Sequence, residues 1–536
     1  MFVALTLVVA TVGLIIYILK IYEARAKSYW TDRGFASTPS GVSFWDIFLG
    51  KKDAIDSDVE IYQKIGHLQE KVGGVMELGA FSSPILFVRD LDVAKDILIK
   101  DFDHFFDRRS FGDFDKLFND GLFNMKGQDW KDMRTFLSPT FTSGRIRSMF
   151  SHFERTADKL KQHVKSFPVT KSGFDIPVSE SMRKYTLEVI VTSVFGMSVD
   201  VFKENDIMFE MAEKFGHFSY SRKIRLYMIQ NFPKLSKLLK ISGVDQDVSD
   251  FFWGMLSAAL KARQEGNIKG NDFVQMLVDA QNGNLKEDQE SELSREEKDA
   301  ILKPKSGGNK NNIKWSNELA IPQAFIFMVA GFDTVANNLA VASYILATHE
   351  DIQDKVYEEA CRVLGNGEDG KKIAYEEVNR LEYIDMFISE VLRLYPAVSR
   401  LDRKCMRDYA LSTSDGEKPS KTQVIKAGTF IAIPAEAIQR DEQYYPDPLK
   451  FDPERFNQEN KTKRNPYAYM PFGIGPRNCI GMRFALVETK VALAHIVRSF
   501  KIGPTEIPTS NQESVFRTVF GYRLSSDLKL RFTPRV

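Results

Sequence analysis

Cysteine is scarce in this chain. There are three in 536 residues, Cys361, Cys405 and Cys479, and no two stand in C-x-x-C spacing. That argues against a disulfide framework and places the main body in a reducing compartment. An excess of one charge is lacking as well. Lys and Arg number 73 against 72 Asp and Glu, a formal net charge of +1, so no bulk attraction to nucleic acid is implied. What the chain has in quantity is apolar material. It is 43% hydrophobic and 12% aromatic, with 41 Phe, enough for one large catalytic body or several smaller domains.

One apolar run stands apart. Phe2 to Leu19 is interrupted only by Thr and Gly; its ~18 residues rise about 27 Å as a helix, close to the bilayer core. Lys20, Arg25 and Lys27 follow it, and no cation but the terminal amine precedes it. The positive-inside rule then puts the N-terminus in the lumen and the body in the cytosol. A cleaved signal peptide would carry a basic start and a small-residue cleavage site, and neither is present. The expected organisation is a transmembrane anchor over 1–20, a linker over 21–50 and a catalytic body over 51–536. On this topology the sequon Asn460-Lys461-Thr462 stays unmodified.

The stretch that organises the body is Phe472-Gly473-Ile474-Gly475-Pro476-Arg477-Asn478-Cys479-Ile480-Gly481. Met482 to Ser499 reads as a helix, so Cys479 sits just before a helix N-terminus, where the dipole favours a thiolate. Gly475 and Gly481 are read as bending the backbone to bring amides toward the sulfur, and Arg477 adds a fixed positive charge. Zinc and iron–sulfur sites need several ligands, whereas haem iron takes a single proximal one, and a Cys thiolate serves. A buried structural cysteine in a glycine loop is the plainer alternative.

Phe472, Gly475, Arg477, Cys479 and Gly481 together form F-x-x-G-x-R-x-C-x-G, and this resembles the haem-binding signature of the cytochrome P450 family. Three other stretches fall in that family's order. Ala330-Gly331-Phe332-Asp333-Thr334 lies in an apolar helix running from an expected N-cap at Ser316 to about Thr348. It resembles the family's oxygen-activating segment, where an acid and an alcohol relay protons over the haem. A Thr hydroxyl bonding back one turn opens such a helix locally, and Val335 stands where many members have Thr or Ser. Glu390 and Arg393, an i, i+3 pair on a helix ended by Pro396, precede Pro453-Glu454-Arg455-Phe456; the resemblance implies a buried triad of Glu390, Arg393 and Arg455. Alone, such a pair is an ordinary surface ion pair. Trp130 and Arg134, at i and i+4 on a helix over Gln128 to Phe136, resemble the family's propionate-binding pair, although a packed Trp beside a surface Arg gives the same pattern. Arg403 lies where another propionate-binding Arg is expected.

The resemblance implies the cytochrome P450 fold: mainly α with small β-sheets, a single large α+β haem domain behind the transmembrane helix. Its cofactor is haem b on Cys479, with Trp130, Arg134, Arg403, Phe472, Arg477, Gly481 and Ala330 around it and Asp333 and Thr334 as catalytic residues. The implied reaction inserts one atom of O2 into a lipophilic small molecule. Electrons come from NADPH through NADPH-cytochrome P450 reductase, with cytochrome b5 as a second donor, and no nucleic acid is involved. Lys126, Lys131, Arg145, Arg147 and Lys490 are candidates for the reductase-facing surface, as against ordinary solvated charge. The Phe-rich stretch 102–124 and the terminal hairpin supply expected pocket residues: Phe111, Phe123, Phe327, Val398, Ser399 and Phe520. The basic amphipathic stretch Ile224–Ile241 resembles the family's lid, which touches the membrane; a half-buried helix would read the same. The wording GFDTV and PFGIGPRNCIG resembles arthropod, microsomal, xenobiotic-metabolising members, which implies the endoplasmic reticulum membrane. Two other classes remain open: a haem-thiolate isomerase or dehydratase acting on hydroperoxides without O2, whose members typically lack the acid–Thr pair, and a membrane-anchored haem-binding or sensing protein with no turnover.

Overall fold

The computed structural model describes residues 28–38, 54–77, 83–109, 115–170, 173–217, 219–266, 270, 272–281, 316–366, 372–412, 422–505, 516–517 and 522–535. The anchor segment, the charged stretch 286–314, Phe111 and Phe520 lie outside them.

Helices dominate. In chain order the ones that matter for the site are α1 (Ala54–His67), α2 (Gly127–Leu137), α3 (Ser143–Ser166), α4 (Val178–Val194), α5 (Ile207–Gly216), α6 (Tyr220–Asn231), α7 (Pro233–Leu238), α8 (Gln246–Gln264), α9 (Asn317–Thr348), α10 (Glu382–Leu394) and α11 (Met482–Ser499). The strands are short: β1 (Val72–Glu77), β2 (Ser83–Val88), β3 (Val169–Thr170), β4 (Gly173–Pro177), β5 (Leu401–Lys404), β6 (Phe430–Ile433), β7 (Phe500–Pro504), β8 (Phe516–Arg517), β9 (Arg523–Leu524) and β10 (Lys529–Pro534). One sheet runs β1-β2-β6-β5, with β2 and β6 parallel and the other pairs antiparallel. A second runs β3-β4-β10-β7, and β8 and β9 form the expected terminal hairpin. The mainly helical body with small sheets matches expectation.

Part of the expected linker belongs to the body. Trp30 is 1% exposed, its indole N–H donates to the Val75 carbonyl at 3.2 Å, and Ser37 bridges Gly74. Gly74 is needed there, because a Cβ would lie 2.1 Å from the Trp30 ring. A large aromatic ring buried against a strand removes the freedom that a linker requires.

The centre of the molecule is α9. It is apolar almost all round and buried along most of its length, which is the pattern of a helix enclosed by others. It is long and apolar enough to cross a membrane, yet it packs inside the body, most extensively on α4. Gly331 permits that contact, since a Cβ there would meet Ile190 Cδ1 of α4 at 2.5 Å. Next to it, the Thr186 hydroxyl donates to the Phe332 carbonyl at 2.9 Å. Ser316 precedes α9 with extended backbone but makes no side-chain cap.

Candidate active site

The cysteine loop is shaped by backbone conformation before any side chain acts. Gly473 and Gly475 hold φ of +71° and +73°, the left-handed region open to glycine at little cost. At Gly475 a side chain is excluded outright, because a Cβ would stand 2.0 Å from the Leu98 carbonyl oxygen. Gly481 has φ −91°, so the tight bends fall at Gly473 and Gly475 rather than at Gly475 and Gly481 as expected. The Cys479 amide donates to the Phe472 carbonyl at 2.8 Å, and that of Asn478 to Gly475 at 2.9 Å, closing the loop on itself.

Arg477 is a brace rather than a free charge. Its guanidinium donates to the carbonyls of Phe106 (2.9 Å), Leu122 (3.4 Å) and Met125 (2.7 Å) and lies 3.8 Å over the Trp130 ring. Arg134 reaches the same loop, donating to the Asn478 carbonyl at 3.0 Å and to its side-chain oxygen at 2.7 Å.

A cavity of about 330 Å³ opens over Cys479. Trp130, Arg134, Arg403, Phe472, Arg477, Gly481, Ala330 and Thr334 all line it, as do Phe123, Phe327 and Val398. Trp130 and Gly481, 351 positions apart in the chain, are thus brought to one space. Two expected residues are elsewhere. Ser399 is buried outside the lining and its carbonyl accepts from the Glu436 amide at 3.0 Å. Asp333 points away from the cavity toward β9, where Arg523 pairs with it, and Arg183 lies 3.4 Å from its other oxygen. Lys490, read as a surface charge, is 6% exposed and paired with Asp385 at 2.7 Å. It cannot serve a docking face. Lys131 and Arg147 pair with Asp103 and Glu376.

Around Thr334 the helix is unbroken, although local opening was expected. The hydroxyl donates to the Ala330 carbonyl at 2.6 Å. This i−4 bond fits within a regular helix because it shares the carbonyl with the backbone ladder instead of displacing it.

Electrostatics oppose a free thiolate here. The sulfur is exposed by area, yet that area faces an internal cavity. Burial pushes the thiol up, against the Gly481 amide, Arg134 and Arg108, which favour the anion. The dipole and loop alone therefore do not hold the sulfur anionic as expected; a coordinated metal deprotonates a thiol outright. Burial also pushes the guanidiniums of Arg108, Arg134, Arg403 and Arg477 down, and Arg108 adds repulsion at the other three. The Nε atoms of Arg108 and Arg403 are buried without a partner. Four confined cations, two of them with an unspent donor, are a site for an anion with several oxygens. Arg108 carried no motif signal, standing beside Arg109 within the Phe-rich stretch 102–124.

Behind the loop, Glu390 and Arg393 are fully buried. Arg393 Nε and Nη2 donate to the two carboxylate oxygens at 2.7 and 2.8 Å, the Asp452 amide adds a third bond at 2.8 Å, and Arg455 Nε stands 3.5 Å away. The expected triad is assembled in space. Gln439, to which the sequence assigned nothing, links it to the loop. Its amide donates to the Leu392 and Arg393 carbonyls at 3.2 and 3.0 Å, and its oxygen accepts from Met470 N at 2.9 Å, just ahead of the cysteine stretch.

A family model described as Cytochrome P450 matches residues 39–521. The chain belongs to the cytochrome P450 family. It is 32% identical over 498 residues to probable cytochrome P450 9f2 of Drosophila melanogaster, covering 90% of this chain and 91% of that one. To cytochrome P450 6a2 of the same insect it is 33% identical over 537 residues, 98% and 99% of the two. To cytochrome P450 3A31 of Mesocricetus auratus the figures are 33% over 459 residues, 84% and 82%. It is a haem-thiolate monooxygenase, and its cofactor is haem b. The residues present fit that group: one sulfur opens into the cavity, and Arg108, Arg134 and Arg403, two of them with an unpartnered buried Nε, suit the two propionate carboxylates of haem b.

Proposed function

We propose that Cys479 would ligate the haem iron and that Arg108, Arg134 and Arg403, with the Trp130 indole, would hold the propionates. Haem bound there supplies the activation of O2 and the insertion of one oxygen atom into substrate. The chain's part is positional. Phe472 and Gly481 pack at the sulfur, Arg477 fixes the loop to the carbonyls of Phe106, Leu122 and Met125, and Ala330 and Thr334 form a small-polar patch over the reacting face. Thr334 holds a proton at Oγ1, and Asp333 resupplies it from the solvent side. The pocket wall of Phe123, Phe327 and Val398 selects an apolar small molecule and excludes water. Broad rather than sharp selection follows, because apolar walls discriminate weakly.

The observation that carries this reading is one cavity lined at once by Cys479, the buried arginines and the Ala330–Thr334 face. Electrons arrive from NADPH through the reductase, with cytochrome b5 as a second donor. The body lies on the cytosolic face of the endoplasmic reticulum membrane, held by the anchor at 1–20. The lid formed by α6 and α7 rests on that membrane, since Leu235, Leu238 and Leu239 are 42%, 78% and 59% exposed beside Lys234 and Lys237. A role in clearing lipophilic foreign compounds is the reading that the GFDTV and PFGIGPRNCIG wording favours. The test is the reduced, CO-bound absorption spectrum of wild type and Cys479→Ala, with NADPH-dependent product formation in reconstituted reductase. A Soret band indifferent to loss of the sulfur would overturn the assignment.

A further inference from the structure

A second cavity, of about 210 Å³, shares no wall residue with the first. It lies under the end of α7, between Ser236, Lys237 and Lys240 on the lid and Asp115 on the body. Ser236 is 3% exposed, and its hydroxyl, on a residue of the cavity wall, has no hydrogen-bond partner. A buried hydroxyl left unbonded costs free energy unless something fills the site. Lys237 and Lys240 are exposed, and among the described residues no carboxylate pairs with either. The helix ends in a turn in which Lys240 N donates to the Lys237 carbonyl and Ile241 N to that of Ser236. Lys240 occupies its left-handed position with φ +51°. Glycine is the usual residue there; keeping a lysine instead places an ammonium on the rim at a conformational cost.

Charge in this stretch is one-sided. From His217 to Val244 there are six Lys and Arg and no Asp or Glu, in a chain otherwise balanced. Arg222 is spent on backbone carbonyls and Arg225 on Asp245, which leaves the lysines. Asp115 caps the short helix Lys116–Asn119 through the Leu117 amide and accepts the Ser249 hydroxyl. Its presence disfavours a dianion and leaves two ammoniums to one carboxylate, a balance that suits a monoanionic phosphodiester. Leu235, Leu238 and Leu239, interleaved in the chain with the wall residues Ser236, Lys237 and Lys240, are exposed, as apolar chains attached to that phosphate would require.

We propose that this cavity binds the phosphodiester headgroup of an anionic membrane phospholipid, with Ser236 Oγ and the Lys237 and Lys240 ammoniums as its ligands. The proposal rests on the lid lying against the membrane, and adds a headgroup site to it. The test places the full chain in nanodiscs of phosphatidylcholine alone, or of phosphatidylcholine with phosphatidylglycerol. Amide hydrogen exchange is followed over 233–242, and the reduced CO spectrum checks that each variant is folded. Expected is roughly ten-fold slower exchange when phosphatidylglycerol is present. That increment is lost in Ser236→Ala and in the Lys237→Gln, Lys240→Gln double variant, while protection by phosphatidylcholine remains. Leu238→Ser with Leu239→Ser instead loses protection in both discs, which reads membrane contact itself. An increment absent from wild type, or surviving in the lysine double variant, overturns the site and leaves the lid reading standing. The same increment from inorganic phosphate with phosphatidylcholine discs overturns the lipid assignment.

Discussion

Arg523, on the last strand of the terminal hairpin, is ion-paired with Asp333 in the middle of α9, 190 residues earlier in the chain. The acid beside Thr334 is therefore held from outside the cavity, by a residue with no motif of its own. Asp333→Asn should lower product formation about 100-fold, the scale of a lost acid–base group, with the CO spectrum intact. Arg523→Gln should change the yield of product per NADPH consumed and leave KM for substrate unmoved. An unchanged yield would mean that the pair is only a surface contact.

Arg477→Lys retains the charge and loses the geometry. A single ammonium cannot serve three carbonyls and stack on Trp130. The loss should be about 3 kcal/mol or more, given roughly 1.5–3 kcal/mol for a hydrogen bond to a charged group. Urea unfolding and the fraction of protein retaining haem measure it, and full retention of both would show the brace to be dispensable.

Breaking the buried pair should be severe. Glu390→Gln leaves the fully buried Arg393 uncompensated, at about 3–5 kcal/mol. Arg455→Ala should cost far less, about 1 kcal/mol, because its Nε stands 3.5 Å from the carboxylate and its side chain is partly open. The ordering of the two unfolding midpoints is the check.

Glu488 predicts a pH effect with a definite sign. Both its carboxylate oxygens are buried without partners, and burial pushes the group well above the usual 4.5. Above that pH the folded protein keeps a proton that the unfolded chain releases. Stability therefore falls as pH rises, by up to about 1.4 kcal/mol per unit from this group. Glu488→Gln should flatten that decline and raise stability at neutral pH. Unfolding midpoints at a series of pH values decide it, and parallel curves for the two proteins would count against a buried neutral acid.

Several things were legible from the chain alone, because their causes are local. The cysteine loop carries its own glycines and its helix, the 3.6-residue repeat marks α2 and α10, and the apolar run of α9 marks a long helix, whose enclosure within the body shows only in the fold. Glu390, Arg393 and Arg455 could be grouped because a family order links them. The rest depended on chain segments meeting. Gln439 joins the triad to Met470, Arg108 completes a cluster of four cations, and Lys490 is spent on Asp385; an isolated Gln, Arg or Lys looks the same in sequence whether buried or solvated. The sequence by itself determined a sulfur at a bend before a helix. Whether that sulfur is anionic, and what faces it, was decided by tertiary structure, because burial and the guanidiniums that oppose it come from residues far along the chain.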